Sequence, residues 1–361
     1  MATIVDVRPT GTFPAPALPK AEPCILVIFG ATGDLTRRKL IPALYDLACV
    51  GCMSPHFDIV GIGRKPISDD QFRQDLKEAA SHSKDARNFS IEGWNDFAHR
   101  ITYFRADSDE PNSYSKIRQR VEEMQSRGAS QNVLFYLATP ASVFSETIRG
   151  IGEAKLNQNE HGWTRIIIEK PFGSDLKSAE ELNRTVTSVF PEESVYRIDH
   201  YLGKETVQNV LVFRFGNALF EPIWNRNYVD YVEITGAETL GVEQRASFYE
   251  ETGALRDMVA NHMLQLLSLT AMEPPLAFDA TSVRSKKVEV LNAVRPMNVE
   301  EIGERTVRGQ YGPGQIDGKP VPGYRQEPGI AANSRTETYA AVQFQIENWR
   351  WAGVPFFVRT G

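Results

Sequence analysis

Short apolar runs that alternate with helix-patterned segments fill the first half of the chain. The first run spans residues 24–29, ends at Gly30, and is followed by apolar residues at helical spacing between Leu40 and Leu47. Runs of the same kind recur at residues 57–62, 101–105, 132–137, 165–168 and 195–198. Because strands separated by helices pair in parallel through right-handed crossovers, the pattern predicts a Rossmann-like, doubly wound parallel sheet.

The pattern changes beyond residue 200. Residues 228–234 are rich in β-branched and aromatic side chains, and from Ala340 to Ile346 apolar residues alternate with small or polar ones. Such alternation is typical of antiparallel strands, so we expect a second domain with a large, mainly antiparallel sheet. The predicted organisation is an extended arm at residues 1–22, a dinucleotide-binding domain at 23–199 and a substrate and dimerisation domain at 200–361.

Composition excludes some classes of protein. The 361 residues carry a net charge of -6 with Lys and Arg scattered, which is not the basic field that a nucleic-acid-binding protein needs. No apolar run is long enough to span a bilayer or resembles a signal peptide, so we expect a cytoplasmic protein that binds neither nucleic acid nor membrane. Cys49 and Cys52 lack the second pair of ligands that a zinc site needs, so we expect no metal there.

The turn after the first apolar run is rich in glycine. It lies between a predicted strand and a predicted helix, where glycines let a dinucleotide pyrophosphate approach the backbone and the helix N-terminus favours an anion. The spacing departs from G-x-G-x-x-G, and a turn that binds no ligand is the alternative interpretation. The candidate cofactor-binding residues in this turn are Gly30, Thr32, Gly33, Asp34 and Leu35.

Basic residues flank the same turn. At the end of the second predicted strand, where an NAD site usually has an acidic residue, the chain has Arg64 and Lys65, and residues 37–39 add three more positive charges. These side chains suit the 2′-phosphate of NADP, and solvated surface charge is the other interpretation. The sequence therefore favours NADP over NAD as the cofactor.

A short segment between the two predicted domains is crowded with polar side chains. Residues 197–205 have the sequence RIDHYLGKE. A lone Asp-His pair is more often structural, but His, Tyr and Lys so close together suit a phosphate. Together with GATGDLTRRK, FYLATP and EKPFG before it and ALRDMVANHMLQ after it, this segment resembles the motif set of the glucose-6-phosphate dehydrogenase family.

The resemblance extends from about residue 24 to the last residue and implies an enzyme. It implies the oxidation of glucose 6-phosphate at the anomeric carbon to the 1,5-lactone, the first step of the oxidative pentose phosphate pathway, with hydride passing to NADP. His262 is implied to be the general base, and Asp199 to orient it. The residues implied to bind the substrate are Lys170, His200, Tyr201, Lys204, Glu238 and Asp257, and those implied to join the cofactor-binding turn are Arg64, Tyr136 and Lys170.

Apart from the resemblance, His262 has two interpretations. It falls in the apolar stripe of a predicted α-helix with Val259 and Leu266, which is typical of a buried histidine whose hydrogen bond is satisfied. A buried histidine with a carboxylate partner is also how a base that works near neutral pH is made. In an α-helix Asp257 would lie some way round from His262, so its role rests on the resemblance alone. Pro171 is either a cis proline or a strand terminator.

The resemblance also predicts a truncated chain. At Gly361 the family pattern continues into a substrate-binding lysine and more of the second sheet, so we expect residues 354–358 to form a strand with neighbours still to come and an exposed edge. A complete chain would form a homodimer or homotetramer. The alternative functions are a non-catalytic NADP-binding fragment or assembly protein, and a related sugar oxidoreductase of the glucose-fructose oxidoreductase type.

Overall fold

The computed structural model of the protein describes residues 20–107, 110, 112–242 and 245–361. Most of the predicted arm at residues 1–22 lies outside this part of the chain. The described residues form two compact units, one of residues up to Phe172 with Ala179–Ile198 and one of Gly173–Ser178 with Asp199–Gly361. The domain bounds expected from the sequence stay a prediction.

The first unit is built on six strands in the order β3-β2-β1-β4-β5-β6. Every pairing in this sheet is parallel, which confirms the doubly wound sheet predicted from the alternating pattern. The strands are β1 (Ile25–Phe29), β2 (Asp58–Gly63), β3 (Ile101–Arg105), β4 (Val133–Leu137), β5 (Thr164–Ile168) and β6 (Val195–Arg197). The helices between them are α1 (Ile41–Cys49), α2 (Asp69–Ser81), α3 (Ile91–Ala98), α4 (Ser113–Ser126), α5 (Phe144–Glu153) and α6 (Leu176–Val189).

Strand β1 is buried on both faces. Val27 and Phe29 pack in one apolar core, and Leu26 and Ile28 pack in another. This arrangement explains why the first apolar run is continuous rather than alternating, because helices cover both sides of a parallel sheet. The carboxyl end of β1 lies between β2 and β4, and the glycine-rich turn begins there.

The second unit contains a four-stranded mixed sheet in the order β7-β12-β11-β8 and a separate β9-β10 hairpin. In the four-stranded sheet β12 is parallel to β7, and the other two pairings are antiparallel. The second sheet was expected to be mainly antiparallel, and two of its three pairings are. The strands are β7 (Val232–Gly236), β8 (Thr306–Gly309), β9 (Gly314–Ile316), β10 (Lys319–Val321), β11 (Tyr339–Gln345) and β12 (Pro355–Thr360).

Strand β12 is paired on both sides. It lies between β11 and β7, so the expectation that the last strand would have a free edge is wrong. The sequence could not show this, because β7 comes from a segment more than a hundred residues earlier. The edge strands of this sheet are β7 and β8.

Five α-helices belong to the described part of the second unit, and four of them, α7 to α10, contribute apolar residues to a core that they share with the sheet. Met263, Leu267, Trp351, Phe356 and Val358 are among its buried members. Among the described helices of the whole chain, none combines the length and apolar character needed to cross a bilayer. The helices of the second unit are α7 (Glu205–Phe215), α8 (Ala246–Ala254), α9 (Leu264–Ala271), α10 (Ala280–Ala293) and α11 (Val299–Arg305).

Candidate active site

A π-helical segment, Leu255–Met263, joins α8 to α9 and carries Asp257 and His262. Backbone hydrogen bonds in a π-helix join residues five apart, and Asp257 and His262 are separated by this spacing. The expectation that Asp257 lies some way round from His262 assumed an α-helix, whereas this segment is a π-helix, and it stays a prediction. Both side chains are buried, His262 completely.

A short hydrogen bond joins Asp199 to His262. Asp199 precedes the 3₁₀ turn His200–Gly203, and its Oδ1 accepts the Tyr201 N–H at 3.0 Å. The same oxygen lies 2.6 Å from His262 Nδ1. Because Nδ1 faces the carboxylate, Nε2 is the ring nitrogen left to accept a proton.

Burial and hydrogen bonding have opposite effects on the pKa of Asp199. Burial of this side chain, which is 13% exposed, raises the pKa of the carboxyl. The hydrogen bond and charge of His262, the Tyr201 N–H and the charge of His200 together lower it more, so the net pKa of Asp199 lies below its usual value. The carboxylate is therefore ionised at neutral pH and able to stabilise an imidazolium on His262.

Two aromatic neighbours hold the plane of the His262 ring. The Tyr201 ring stacks on it with centroids 4.0 Å apart and an angle of 11° between the planes. The His200 ring meets it edge to face, with centroids 4.6 Å apart and an angle of 78°. His200 itself is exposed. The orientation of the His262 imidazole is thus fixed by two contacts: the hydrogen bond to Asp199 at Nδ1 and the Tyr201 ring stacked on its face.

Lys204 and Glu238 complete the surroundings of Tyr201. Lys204 Nζ lies 3.5 Å from the centroid of the Tyr201 ring, a cation–π contact, and the Tyr201 O–H donates a long hydrogen bond of 3.5 Å to Glu238 Oε1. Burial and the carboxylates of Glu238, Asp199 and Asp257 raise the pKa of Tyr201, which keeps its hydroxyl a donor. The second unit thus gathers five of the predicted residues around His262 and Tyr201, namely Asp199, His200, Lys204, Glu238 and Asp257.

The same cluster offers a set of metal ligands. Ligand atoms of Asp199, His200 and His262 lie within 4.8 Å of one another. A divalent cation bound through Nδ1 of His262 would have to displace the proton between His262 and Asp199, because ligating histidine is unprotonated at the metal-binding nitrogen. The 2.6 Å hydrogen bond fits a shared proton, so the chemistry we derive from this cluster is acid–base chemistry.

The glycine-rich turn of the first unit needs glycine at Gly30. Its φ is 83°, in the left-handed region, and a Cβ added there would lie 2.7 Å from the carbonyl oxygen of Ala138. The Gly33 N–H donates to Gly30 O at 2.9 Å, which closes the turn. The backbone at the end of β1 therefore passes close to the end of β4 with no side chain between them.

Two backbone donors of this turn are available to a ligand. The N–H groups of Gly30 and Ala31 both donate to Ile62 O, whereas those of Thr32 and Asp34 donate to no acceptor within the described ranges. Asp34 and Leu35 form the first helical turn after β1. Unpaired N–H groups at a helix start are the donors that a pyrophosphate uses, so this turn fits a dinucleotide.

The basic residues around the turn divide into paired and unpaired groups. Arg38 lies 3.5 Å from Asp34, and Lys39 lies 2.9 Å from Asp85. The other three basic side chains have no acidic partner in the described part of the chain, and all are exposed; they are Arg37, Arg64 and Lys65. These three, rather than the whole basic cluster, are the ones free to meet a 2′-phosphate.

Tyr136 and Lys170 lie at the carboxyl ends of β4 and β5. The Tyr136 O–H donates to Glu169 Oε1 at 2.5 Å, and burial together with Glu169 raises the pKa of the phenol. Its hydroxyl hydrogen is therefore engaged by the protein. The bond between Lys170 and Pro171 is cis, which decides between the two interpretations of this proline. Because Phe29, Leu137 and Ile168 pair in register, these residues lie at the same sheet edge as the glycine-rich turn.

Comparison with known proteins agrees with both units. Residues 27–209 match the family model described as glucose-6-phosphate dehydrogenase, NAD binding domain, and residues 211–361 match the one described as glucose-6-phosphate dehydrogenase, C-terminal domain. The chain belongs to the glucose-6-phosphate dehydrogenase family. The resemblance that the sequence motifs indicated is therefore confirmed.

Relatives in the glucose-6-phosphate dehydrogenase family cover nearly the whole chain. Glucose-6-phosphate 1-dehydrogenase of Aggregatibacter actinomycetemcomitans is 46% identical over 343 residues, which are 95% of this chain and 69% of the relative. The enzyme of the same name from Bacillus subtilis (strain 168) is 44% identical over 344 residues, with 95% and 68% covered. The chain thus spans about two thirds of the length of these relatives.

Solved structures of the family share the fold. One, described as glucose-6-phosphate dehydrogenase in complex with its substrate glucose-6-phosphate, has a TM-score of 0.84 at 35% identity and covers 96% of this chain and 70% of that chain. Glucose-6-phosphate 1-dehydrogenase from Mycobacterium avium has a TM-score of 0.81 at 37% identity, with 94% and 68% covered. The fold class predicted from the sequence is confirmed for both units.

The sequence interpretation missed one ionisable residue near this site, Lys287 of α10. Burial lowers the pKa of this lysine, and the charge of Asp199 opposes that lowering. The signal in the sequence was its position on the apolar stripe of α10, between Val283 and Val290, where a lysine is unusual.

Proposed function

We propose that the chain oxidises glucose 6-phosphate to the 1,5-lactone with NADP as the hydride acceptor, and that His262 is the general base. The observation that carries the role of His262 is its complete burial with Nδ1 at 2.6 Å from an ionised carboxylate. Membership of the glucose-6-phosphate dehydrogenase family supports the reaction and the cofactor. The related structure described as a complex with its substrate supports glucose 6-phosphate.

The proton path follows from the geometry of the pair. Asp199 accepts the Nδ1 hydrogen of His262, so Nε2 carries the lone pair that takes the proton of the anomeric hydroxyl. As hydride leaves the same carbon, positive charge develops on the imidazole, and the Asp199 carboxylate stabilises it. Tyr201, stacked on the ring at 4.0 Å, keeps the imidazole plane fixed during this transfer.

The remaining residues of the second unit suit a phosphorylated sugar. We assign the phosphate to His200, Tyr201 and Lys204, which supply an imidazole, a phenol hydroxyl and an ammonium on adjacent turns. Glu238 and Asp257 are acceptors for sugar hydroxyls. Lys170, at the end of β5 before a cis proline, is assigned to both substrate and cofactor, as the resemblance implies.

The first unit fits NADP. Gly30, Gly33 and the unpaired N–H groups of Thr32 and Asp34 would hold the pyrophosphate, and the exposed Arg64 would pair with the 2′-phosphate. Leu35 and Tyr136 are assigned to the same site, as the resemblance implies. When bound, NADP supplies the hydride acceptor that the protein side chains lack.

The test is NADPH absorbance on mixing the purified chain with glucose 6-phosphate and NADP, for the wild type and for His262→Asn. We expect turnover by the wild type and a fall in kcat of at least about a thousandfold in the variant, because the base is lost while the site keeps its shape. Binding of NADP, measured by fluorescence quenching, should be equal in both proteins. Undiminished turnover by His262→Asn would exclude the assigned base.

The same assay separates the alternatives. A sugar oxidoreductase of the glucose-fructose type would reduce NADP with glucose as well as with glucose 6-phosphate, because it would not need a phosphate site. A non-catalytic NADP-binding protein would quench fluorescence with NADP and reduce none. The cytoplasmic location and the homodimer or homotetramer expected from the sequence stay predictions.

A further inference from the structure

Tyr136 and Glu169 lie on one face of the parallel sheet, at its carboxyl edge. Tyr136 pairs in register with Ile167, and Glu169 is two residues further along the chain, so it lies diagonally across from Tyr136 on the same face. Leu137 and Ile168 point to the opposite face, where both pack in an apolar core. The phenol and the carboxylate therefore meet beyond the ends of β4 and β5, within the first unit.

The hydrogen bond between these two side chains has a fixed direction. The Tyr136 O–H donates to Glu169 Oε1 at 2.5 Å, and a carboxylate can only accept. Burial and the Glu169 carboxylate raise the pKa of the phenol, so the hydroxyl keeps its hydrogen. Within the described ranges, the Glu169 side chain makes no other hydrogen bond and no ion pair. The phenol oxygen thus has lone pairs to offer a ligand but no hydrogen.

The order of the strands relates this pair to the nicotinamide half of NADP. The glycine-rich turn follows β1, and Arg64, which we assign to the 2′-phosphate, follows β2 on one side of β1. Strands β4 and β5 lie on the other side of β1. A dinucleotide extends across the carboxyl edge of such a sheet with its pyrophosphate at the turn. Its adenosine half would therefore lie toward β2 and its nicotinamide half toward β4 and β5.

The nicotinamide half has one group that a fixed acceptor can orient. A ribose hydroxyl can rotate to donate or to accept, so a phenol of either orientation suits it. The carboxamide has its donor and its acceptor on different atoms, and turning it over exchanges them. An acceptor that cannot donate therefore favours the carboxamide orientation in which the NH2 group faces the phenol.

We propose that Glu169 is a positioning residue of the cofactor site: its carboxylate holds the hydroxyl hydrogen of Tyr136, so that the phenol oxygen accepts a hydrogen bond from the carboxamide NH2 of NADP. The inference rests on the proposed function, in which Tyr136 belongs to the NADP site. The site should then discriminate against a cofactor that has a methyl group in place of this NH2, because a lone pair of the phenol would be left without a donor.

The experiment measures, by isothermal titration calorimetry, the dissociation constants of NADP and of its acetylpyridine analogue, in which a methyl group replaces the amide NH2. We expect the wild type to bind NADP about 5–10 times more tightly than the analogue, the size of one hydrogen bond. This ratio should fall to within about twofold in Tyr136→Phe, which lacks the oxygen, and in Glu169→Met, which frees the hydroxyl hydrogen. Glu169→Gln should give an intermediate ratio, because an amide can accept from the hydroxyl or donate to it.

The matched control is Glu327→Met. In the second unit the Tyr311 O–H donates to Glu327 Oε1 at 3.2 Å, so this variant removes the same kind of partner from a tyrosine and should keep the wild-type ratio. The double variant of Tyr136→Phe and Glu169→Met should match Tyr136→Phe alone, because Glu169 acts only through that hydroxyl.

Two results would overturn the inference about Glu169. One is an equal loss of affinity for NADP and for the analogue in Glu169→Met, which would mean that the carboxylate only supports the local fold. The other is a double variant that binds NADP much more weakly than Tyr136→Phe, which would mean that Glu169 contacts the cofactor itself. If near-UV circular dichroism shows that Glu169→Met does not fold, Glu169→Gln replaces it, and a wild-type ratio in Glu169→Gln overturns the inference.

These binding measurements do not depend on turnover. If the expected ratios were found in a chain that binds NADP but does not reduce it with glucose 6-phosphate, the proposed reaction would fail while the role of Glu169 would be supported. If the chain turned over and the ratio were the same in the wild type and in Glu169→Met, the reaction would stand and the role of Glu169 would fail.

Discussion

At the scale of single residues, the tautomer of His262 depends on Asp199 being a carboxylate. A hydrogen-bonding group that can also donate would not fix it. A carboxylate only accepts, so it fixes the hydrogen of His262 on Nδ1, 2.6 Å away, and leaves Nε2 as the base. In Asp199→Asn the amide can present its NH2 group, which places the imidazole hydrogen on Nε2. We expect kcat to fall by about a thousandfold, measured by NADPH formation under saturating substrate.

The control for this substitution is Asp279→Asn. Asp279 also accepts a backbone N–H, that of Ser282 at 2.9 Å, but it does so as the N-cap of α10, where asparagine is an equally good cap. Turnover should be unchanged in this variant. If Asp199→Asn kept kcat within about tenfold of the wild type, the carboxylate would not be the group that orients His262.

Residue types and spacing were enough to single out most of the candidate site but not its contacts. Asp199 and the residues that follow it were marked by an unusual density of polar side chains, and His262 by its place in an apolar stripe. The effect of the Asp199 charge on the pKa of Lys287 could not be predicted, because the two residues lie far apart in the sequence. Glu169 was likewise missed as the acceptor for Tyr136, since a strand-end glutamate has no distinctive pattern.

At the scale of elements, the π-helical segment begins at a kink that only glycine permits. Gly253 has φ 65° and ψ 175°, a conformation that is almost exclusive to glycine. The Glu337 carboxylate accepts the Leu255 N–H at 3.1 Å, and Glu337 O accepts the Ala254 N–H at 2.9 Å. Glu337 thus caps the start of the segment that carries His262.

Gly253→Ala should distort the backbone where the π-helical segment begins. An alanine Cβ would lie 2.5 Å from Glu337 Oε1, so the carboxylate would have to move away from the Leu255 N–H, and the backbone would be strained as well. We expect a loss of about 1–3 kcal/mol in the free energy of unfolding, measured by urea denaturation, and a fall in kcat/KM of about tenfold as His262 shifts.

Gly303→Ala is the matched control. Gly303 lies in α11 with open space around its Cβ position, so alanine there should stabilise the protein by about 0.5–1 kcal/mol and leave kcat/KM unchanged. Equal effects of the two substitutions on stability would show that the conformation at Gly253 carries no special strain.

The positions of the parallel strands followed from short apolar runs that alternate with helix-patterned segments. The parallel strands β1 to β6 all lie within a residue or two of the predicted runs. The prediction at residues 228–234 was less accurate, because β7 begins only at Val232 and the aromatic residues Tyr228 and Tyr231 before it are exposed. β-branched and aromatic composition does not distinguish a strand from an irregular segment that has such side chains on its surface.

At the scale of the whole molecule, the order of the strands in the second sheet could not be predicted from sequence patterns. Strand β12 pairs with β7 in parallel, and the two are separated by the helices α8 to α11 and four other strands. Alternation in a strand indicates which face is buried but not which neighbours it has. The topology of the parallel sheet was easier to predict, because right-handed crossovers restrict the possible strand orders.

Arg214 joins distant parts of the second unit and is fully buried. Its guanidinium donates to Leu269 O at 2.9 Å and Met272 O at 2.8 Å, at the end of α9, and to Glu221 Oε2 at 3.1 Å. Burial lowers its pKa to about 10 while Glu221 opposes this, so it stays charged at neutral pH.

Arg214→Met would leave the two carbonyls without these donors and the partly buried Glu221 without one of its cations. We expect the free energy of unfolding to fall by about 3–5 kcal/mol, measured by urea denaturation in the presence and absence of NADP. Arg359→Met breaks the exposed pair with Glu233 and should cost less than about 1 kcal/mol, because solvent screens such pairs. If Arg214→Met lowered the free energy of unfolding no more than Arg359→Met, the buried cation would contribute no more to stability than a surface one. Apolar packing alone would then hold α9 in place.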